Sequence, residues 1–356
     1  MTFKDVKIKP ILDSLRLEDI SDEIYFSEKY SDYVSNSRLS YINPEQEGSP
    51  EKYFKERPSL FLDSLVLGGA LHSIVLQPES YFIVDGVDRP TAKAGFMADE
   101  LYKPSGITPT DDEIIEASSK IGYYKDKMNP NRITELRNKC NNYWRNRALY
   151  EASNKENEKT PIYLDAKSRD KLNGCLKALD KNKDIQKLLH PEGISEQPII
   201  GNETAILMDV LVEAPGNKPF ILHLKSKLDN FSIDKEENTI TVNDLKTTGK
   251  YITEFDKAVD KYHYYREMAM YCWLLSLYCK HNLGMEKPVI KSNFLAVETF
   301  PEYYTRVSPM TSQLFKKGLE EFKKLLKLVA FYCCDGNGYE SFRTVGELQT
   351  DIPTED

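Results

Sequence analysis

Three charged side chains, carried by two neighbouring β-like runs, could together bind a cation beside a lysine. Asp229 lies in the run FILHLKSKLDNFSI, and Asp244 and Lys246 lie at the end of TITVNDLK. Because side chains alternate along a strand, Asp244 and Lys246 are expected on one face. The polar segment DKEEN between the two runs predicts a turn and an antiparallel hairpin, which would place Asp229 next to Asp244.

This arrangement would suit metal-dependent cleavage of a phosphodiester. Two carboxylates held close together repel each other unless a cation lies between them. Mg²⁺ takes oxygen ligands and is usually held by one or two carboxylates plus substrate phosphate, so we expect Mg²⁺ as the cofactor, with Mn²⁺ as its substitute. Such an ion neutralises charge on the phosphate and supplies a hydroxide-like nucleophile, while Lys246 orients the water. An exposed hairpin with solvated charges has the same pattern, because Asp-x-Lys also occurs by chance.

A histidine is the chemically notable residue of a second segment. The run FLDSLVLGGALHSIVLQPES predicts a helix that ends before Pro78 and places Gly68, Gly69 and His72 on one face. Small residues one turn before the histidine would let another backbone or a metal site approach closely. A lone histidine on an apolar helix face is more often a hydrogen-bonded core residue than a metal ligand.

Taken in order along the chain, these motifs resemble a known nuclease family. SNSRLSYIN, LGGALHSIVLQPESY, KLD, NDLKTT and YHYYREMAMY look like the exonuclease VIII (RecE-type) family of phage and prophage nucleases, within the PD-(D/E)xK superfamily. The likeness covers roughly the whole chain and is continuous from about Ile194 to Leu275. It implies an α/β fold with a restriction-endonuclease-like core, in which a mixed β-sheet is flanked by helices, plus a helical insertion.

The resemblance also implies an activity and a set of partners. It implies a metal-dependent deoxyribonuclease, specifically a 5′ to 3′ exonuclease that acts on double-stranded DNA ends in phage-type recombination. A single-strand annealing protein and a ring-shaped homo-oligomer are the partners it suggests. Two alternatives stay open, an endonuclease or single-strand nuclease of the same superfamily, and a catalytically degenerate DNA- or protein-binding module.

Position by position, the resemblance implies a metal site of His72, Asp229 and Asp244, with Lys246 as the catalytic lysine. The upstream acid is assigned to Glu196, with Glu203 as the alternative. The family has a glutamine where this chain has Glu267, which adds negative charge near the phosphate or supplies a ligand through water. The remaining family positions, expected to contact substrate, are Tyr264, Thr247 and Thr248.

A second DNA-binding candidate comes from composition alone. The helix-like run ITELRNKCNNYWRNRALYEAS places Arg137 and Arg145 near Trp144, and cations interleaved with aromatic rings suit a DNA strand. A solvated helix face with a buried tryptophan fits the same pattern equally well.

The chain is expected to form a single nuclease domain over residues 1–356. Within it the pattern predicts N-terminal short helices with the His72 motif (1–84), a mostly helical insertion (85–190), the catalytic sheet and helix (191–310), and a C-terminal helix and tail (311–356). The stretch from Thr253 to Gly284 is expected to be one long helix with Tyr262 among its buried residues.

The composition of the chain limits how it can contact DNA, the state of its cysteines and its cellular location. The chain has 356 residues and a formal net charge of −8, so any contact with DNA must come from a local basic patch. Its six cysteines show no CxxC spacing, which indicates reduced thiols with no disulfide framework, zinc site or iron–sulfur cluster. The N-terminus has no apolar run of signal-peptide or membrane-helix length, so a cytoplasmic location is expected. The family resemblance implies a bacterial or phage-infected bacterial cell.

Overall fold

A mixed six-stranded β-sheet forms the centre of the computed structural model. The structure describes residues 3–55, 61–124, 128–191 and 198–334. The strand order is β1-β4-β5-β6-β7-β8, in which β6 and β7 run parallel and every other neighbouring pair is antiparallel. The strands are β1 (Lys7–Glu18), β4 (Ile199–Glu213), β5 (Phe220–Asp234), β6 (Thr239–Thr248), β7 (Val289–Glu298) and β8 (Thr305–Pro309), and a separate parallel pair is formed by β2 (Tyr81–Ile83) and β3 (Thr160–Ile162).

Helices cover both faces of the sheet and form a separate lobe. They are α1 (Asp22–Tyr25), α2 (Asn36–Leu39), α3 (Pro50–Phe54), α4 (Asp63–Leu76), α5 (Ala92–Glu100), α6 (Asp111–Ile121), α7 (Pro130–Ser153), α8 (Ala166–Lys181), α9 (Lys183–Leu189), α10 (Phe255–Lys261), α11 (Tyr264–Leu283) and α12 (Ser312–Cys333). The fold is therefore a mixed α/β fold with a mixed sheet flanked by helices, as the coarse prediction stated.

Strand β6 shows how alternation divides the interior into two layers. Val242 packs into the core beneath α11 and α12, whereas Leu245 packs into the core shared with α4 and α8. Because side chains alternate along the strand, Asp244 and Lys246 fall on the same side as Val242 and face α11. The predicted antiparallel hairpin is present, since Asp234 pairs with Thr239 across the turn.

A ladder of buried asparagines fixes the register of the central strands. Asn230 Nδ2 donates to Asn202 at 2.7 Å, and Asn243 Nδ2 donates to Asn230 at 2.7 Å. Asn293 Nδ2 donates in turn to Asn243 at 2.9 Å. The paired part of β5 and β6 ends at Asn230 and Asn243, so the two strands separate immediately before Asp244. A notch opens between them at that point.

Three helices within residues 85–190 form a lobe of their own. Helices α5, α6 and α7 share a core of their own around Met97, Ile114 and Leu136. The short β2–β3 pair beside this lobe is a feature that the sequence patterns did not predict.

Two sequence predictions about regular structure are wrong. The N-terminal region begins with a twelve-residue edge strand, β1, where only short helices were expected. Pro10 is compatible with this position because an edge strand leaves backbone groups unpaired. The predicted long helix is interrupted at His263, which has φ 54° and separates α10 from α11, although Gly284 ends α11 as expected. Tyr262, expected in the core, is 49% exposed at this break.

The six cysteines are all free thiols, and all but Cys333 are buried, in agreement with the prediction of reduced thiols. None of the helices within the described ranges is both long and apolar enough to cross a membrane.

Candidate active site

The candidate site lies in the notch where β5 and β6 separate. There the backbone of Leu245 has no partner strand on the β5 side and bonds to side chains instead. Its N–H donates to Asp229 Oδ2 at 2.7 Å, and its carbonyl accepts from His72 Nε2 at 2.7 Å. The residue between Asp244 and Lys246 thus joins β5, β6 and helix α4 in one site.

The bond to Leu245 determines how the imidazole of His72 faces the acids. Because a carbonyl only accepts, Nε2 carries the proton, and Nδ1 is directed at Glu203 Oε1 at 3.3 Å and Asp229 Oδ2 at 3.6 Å. Burial disfavours the charged ring, but Asp229 and Glu203 outweigh burial and raise the pKa of His72 to about 9. The ligand atoms of His72, Glu203 and Asp229 all lie within 4.8 Å of one another, close enough to share one ion.

Glu203 is the acid that β4 contributes to the site. It has φ 46°, and the β4–β5 ladder is interrupted at Glu203 and the facing Asp229 without a change of register. Burial would raise the pKa of Glu203, but His72 and Lys227 together lower it. Glu196, the acid that the sequence analysis preferred, lies outside the described residues. Glu203, the alternative, lies in the site beside His72 and Asp229.

Lys246 lies between two carboxylates. Its Nζ is 2.9 Å from Asp244 Oδ1 and 3.2 Å from Glu267 Oε2, and it lies 5.0 Å from the ring centroid of Tyr264. Burial disfavours the ammonium, but the neighbouring carboxylates raise the pKa of Lys246 well above its usual value. Glu267, whose pKa Lys246 lowers against the effect of burial, is an ion-pair partner of the lysine.

Asp229 and Asp244 carry the unbalanced charge of the site. Burial raises the pKa of both carboxyls, and that of Asp244 lies well above its ordinary value. Glu203 raises the pKa of Asp229 further, and Asp229 and Glu267 raise that of Asp244. Asp244 is fully buried, and its Oδ2 has no hydrogen-bond partner among the described residues. Four carboxylates face two lysines in the notch, the acids being Glu203, Asp229, Asp244 and Glu267 and the lysines Lys227 and Lys246.

The donor set fits a divalent cation. One imidazole and several carboxylate oxygens are ligands that Mg²⁺ and Mn²⁺ accept, and in the part of the chain that the structure describes Asp244 Oδ2 lacks the partner that a buried acceptor needs. Of the predicted metal ligands, the close cluster contains His72 and Asp229, while Asp244 adjoins it through Leu245.

The other predicted substrate residues lie in several places. Thr247 Oγ1 faces α4, where a Cβ added at Gly68 would meet it at 3.6 Å. Thr248 closes the end of β6, since its Oγ1 accepts from the amide of Lys250 at 3.1 Å. Arg137 and Arg145 lie on α7 in the helical lobe, and no contact among the described residues joins them to the notch. There Arg137 Nη2 forms an ion pair with Asp111 Oδ1 at 2.6 Å.

No protein-family model matches the chain, and no curated protein matches it either. Among solved structures, similarity is found to a "Putative exonuclease" from Eubacterium rectale. The two chains are 13% identical, and the alignment covers 90% of this chain and 92% of the other with a TM-score of 0.33. That score is too low to establish a common fold, so the roles of the site residues depend on their geometry.

Two residues of the site were not among the predicted site residues. Lys227 Nζ lies 3.1 Å from Glu203 Oε2 and also pairs with Asp22 of α1. Tyr271 is buried one helical turn after Glu267 and hydrogen-bonds to it. Strand alternation places Lys227 on the face of Asp229, and helical i, i+4 spacing places Tyr271 beside Glu267, so both signals were present in the sequence.

Proposed function

We propose that this protein is a Mg²⁺-dependent deoxyribonuclease, and specifically a 5′ to 3′ exonuclease of double-stranded DNA ends in phage-type recombination. The observation that carries the proposal is the excess of buried carboxylates over lysines in the notch, where Asp244 Oδ2, beside Lys246, has no hydrogen-bond partner within the described ranges. The choice of DNA and of exonuclease activity is supported by the order of the sequence motifs.

Each residue of the notch has a role in this proposal. His72, Glu203, Asp229 and Asp244 would hold the ion, and Glu196 stays a proposed further carboxylate outside the described residues. The bound ion would neutralise charge on the scissile phosphate and lower the pKa of the attacking water. The Nε2 bond of His72 to Leu245 keeps Nδ1 facing the acids, as an outer-shell contact does for a metal-binding histidine.

Lys246 supplies the fixed positive charge. Asp244 and Glu267 hold the ammonium from two sides, and the ring of Tyr264 faces it. A positive group held in place before the reaction stabilises charge that develops on phosphate without having to reorganise. In this proposal Lys246 orients the attacking water and balances the phosphate, and the raised pKa keeps it charged at neutral pH.

The test compares Lys246→Ala with the wild type on linear duplexes labelled separately at each 5′ and 3′ end. We expect Mg²⁺-dependent digestion by the wild type and a loss of about 100- to 1,000-fold in the variant, in the range of losing one preorganised electrostatic donor. Lys9→Ala is the matched control, because Lys9 also pairs with a carboxylate, Glu213 at 2.6 Å, but on the exposed edge strand. Circular dichroism checks that each variant is folded.

Undiminished cutting by Lys246→Ala would exclude the proposed mechanism. A covalently closed circular duplex separates the exonuclease from an endonuclease, because an exonuclease has no end at which to start. Single-stranded oligonucleotides test the single-strand alternative in the same assay. The sizing of the protein with and without DNA tests the proposed ring, and pull-down with a single-strand annealing protein tests that partner.

A further inference from the structure

Tyr262 is a large aromatic residue that stays half exposed next to the candidate active site. Its ring lies 5.6 Å from the ring of Tyr264, with 32° between the planes. The Tyr264 ring in turn faces Lys246 Nζ at 5.0 Å, and Lys261 Nζ lies 5.2 Å from the centroid of the Tyr262 ring. Two neighbouring rings and a surface lysine therefore form a path from the catalytic lysine to solvent.

The neighbouring positions of these two rings depend on a break in the helix. In a continuous helix, residues two positions apart point in directions about 200° apart, so they cannot share a face. Here His263, at φ 54° and ψ 37°, separates α10 from α11 and brings the rings of Tyr262 and Tyr264 together. This left-handed conformation is unfavourable for a residue with a Cβ.

The unfavourable conformation of His263 is held by buried contacts. His263 Nδ1 lies 2.8 Å from Glu321 Oε1 and 2.8 Å from the hydroxyl oxygen of Tyr265. Arg266 Nη1 binds the same Glu321 oxygen at 2.8 Å and is itself fully buried. A strained backbone that the surrounding structure fixes in this way is characteristic of functional sites. Here the conformation of His263 places the rings of Tyr262 and Tyr264 side by side.

Exposed rings next to a cation form a surface suited to unpaired nucleotides. Every nucleobase has a flat face that stacks on an aromatic ring, and a lysine beside the ring suits the phosphate. Bases inside a duplex are already stacked on both faces, so only terminal or unpaired bases can use such a surface. Because the path begins at Lys246, the strand that it would hold is the strand being cut.

On the basis of the proposed nuclease function, we propose that Tyr262 and Tyr264 form a stacking platform for unpaired terminal bases of the cleaved strand, with Lys261 at the backbone phosphate. The platform selects frayed or single-stranded ends over the intact duplex interior. Tyr262 contributes the exposed stacking surface, and Tyr264 connects it to the catalytic lysine.

The test measures kcat/KM for Tyr262→Ala on two linear duplexes, one normal and one whose terminal nucleotides are abasic on the cleaved strand. We expect a loss of about tenfold on normal ends, the size of one lost base–aromatic stack, and less than about twofold on abasic ends. Tyr262→Phe keeps the ring and should keep the activity. Tyr124→Ala is the matched control, since Tyr124 also lies under a cation, Arg132 at 4.5 Å, but in the helical lobe.

Binding of a labelled single-stranded oligonucleotide in EDTA, measured by fluorescence anisotropy, separates this proposal from the nuclease proposal. If the wild type does not cut but binds the oligonucleotide tighter than an abasic copy, and Tyr262→Ala removes that preference, then the platform holds and the nuclease proposal fails. If the wild type cuts and the kcat/KM of Tyr262→Ala falls equally on normal and abasic ends, or does not fall at all, the platform proposal is wrong. Absence of both cutting and base-dependent binding overturns both proposals.

Discussion

Arg266 and Glu267 are adjacent in sequence but belong to two buried polar clusters with opposite properties. Arg266 is fully buried, and its guanidinium donates to Asn36, Gln46, Ser40 and Glu321. Glu267 belongs instead to the notch, where carboxylates outnumber lysines and a buried oxygen of Asp244 has no partner among the described residues. One cluster is complete within the protein, and the other is not.

This difference separates a structural network from a site prepared for a ligand. Successive helical residues point about 100° apart, so the first turn of α11 can serve both clusters. A buried arginine with all its donors occupied ties the N-terminal segment to α11 and α12 and has no capacity left for a ligand. Buried acceptors are nearly always satisfied in proteins, so the Asp244 oxygen that has no partner among the described residues, in a group of acids, supports the proposal of a cation site in the notch.

The largest effect on stability is expected from Arg266→Met. Removing the buried guanidinium takes away one partner of Glu321 and leaves acceptors on Asn36, Gln46 and Ser40 without their donor, so the free energy of unfolding should fall by about 3–5 kcal/mol. Urea denaturation in EDTA measures this change. Arg306→Met is the matched control, because Arg306 pairs with Asp256 at 3.0 Å near the surface and should cost under about 1 kcal/mol. Equal losses in the two variants would mean that the complete cluster does not hold the fold together.

The sequence predicted those parts of the site that local pattern decides. The alternation in TITVNDLK places Asp244 and Lys246 on one face, and the polar turn after Asp234 gives the antiparallel hairpin that the structure contains. The glycine-containing run around His72 is helix α4 and ends before Pro78, as expected. These features depend on neighbours within a few residues, which periodicity captures.

The remaining features depend on contacts between distant parts of the chain. The left-handed His263 is fixed by Glu321 of α12, so no pattern around Tyr262 shows that the helix breaks there. Strand alternation places Lys227 on the face of Asp229, but only the fold shows its partner Glu203, which lies on another strand. The position of Glu203 beside His72 likewise depends on the three-dimensional placement of β4 relative to α4.

An intermediate effect is expected from the divalent ion itself. Mg²⁺ that binds only the folded protein should raise the free energy of unfolding by about 2.7 kcal/mol at a free concentration of one hundred times Kd. Asp244→Asn should lose most of this gain, and Arg266→Met should keep it despite its lower stability. Asp234→Asn is the matched control, because Asp234 is a buried acid of the same hairpin that caps the turn through the amides of Glu236 and Glu237.

The measurement is urea denaturation with and without Mg²⁺ for the wild type and the three variants. The proposed difference between the two clusters is contradicted if Mg²⁺ raises the free energy of unfolding of Asp244→Asn as much as that of the wild type. It is also contradicted if Asp234→Asn loses the gain, because the stabilisation would then not arise in the notch.

The smallest effect is the pH dependence of the metal-free protein. Burial raises the pKa of Asp244 well above its ordinary 3.8 in the folded state, so above pH 3.8 the folded protein keeps a proton that the unfolded chain has lost. Stability therefore falls as pH rises from 3.8 through the raised pKa, and then levels off. In EDTA the stability of Asp244→Asn relative to the wild type should increase with pH over that window. The stability contributed by His72, which is lost between about pH 6.5 and 9, is present in both proteins and largely cancels in the difference.

Saturating Mg²⁺ should reverse the stability difference between the two proteins at neutral pH, because the ion supplies the positive countercharge that the wild-type Asp244 carboxylate lacks. A difference that stays constant with pH would show that Asp244 is already neutralised within the chain, and the notch would then be as complete as the Arg266 cluster.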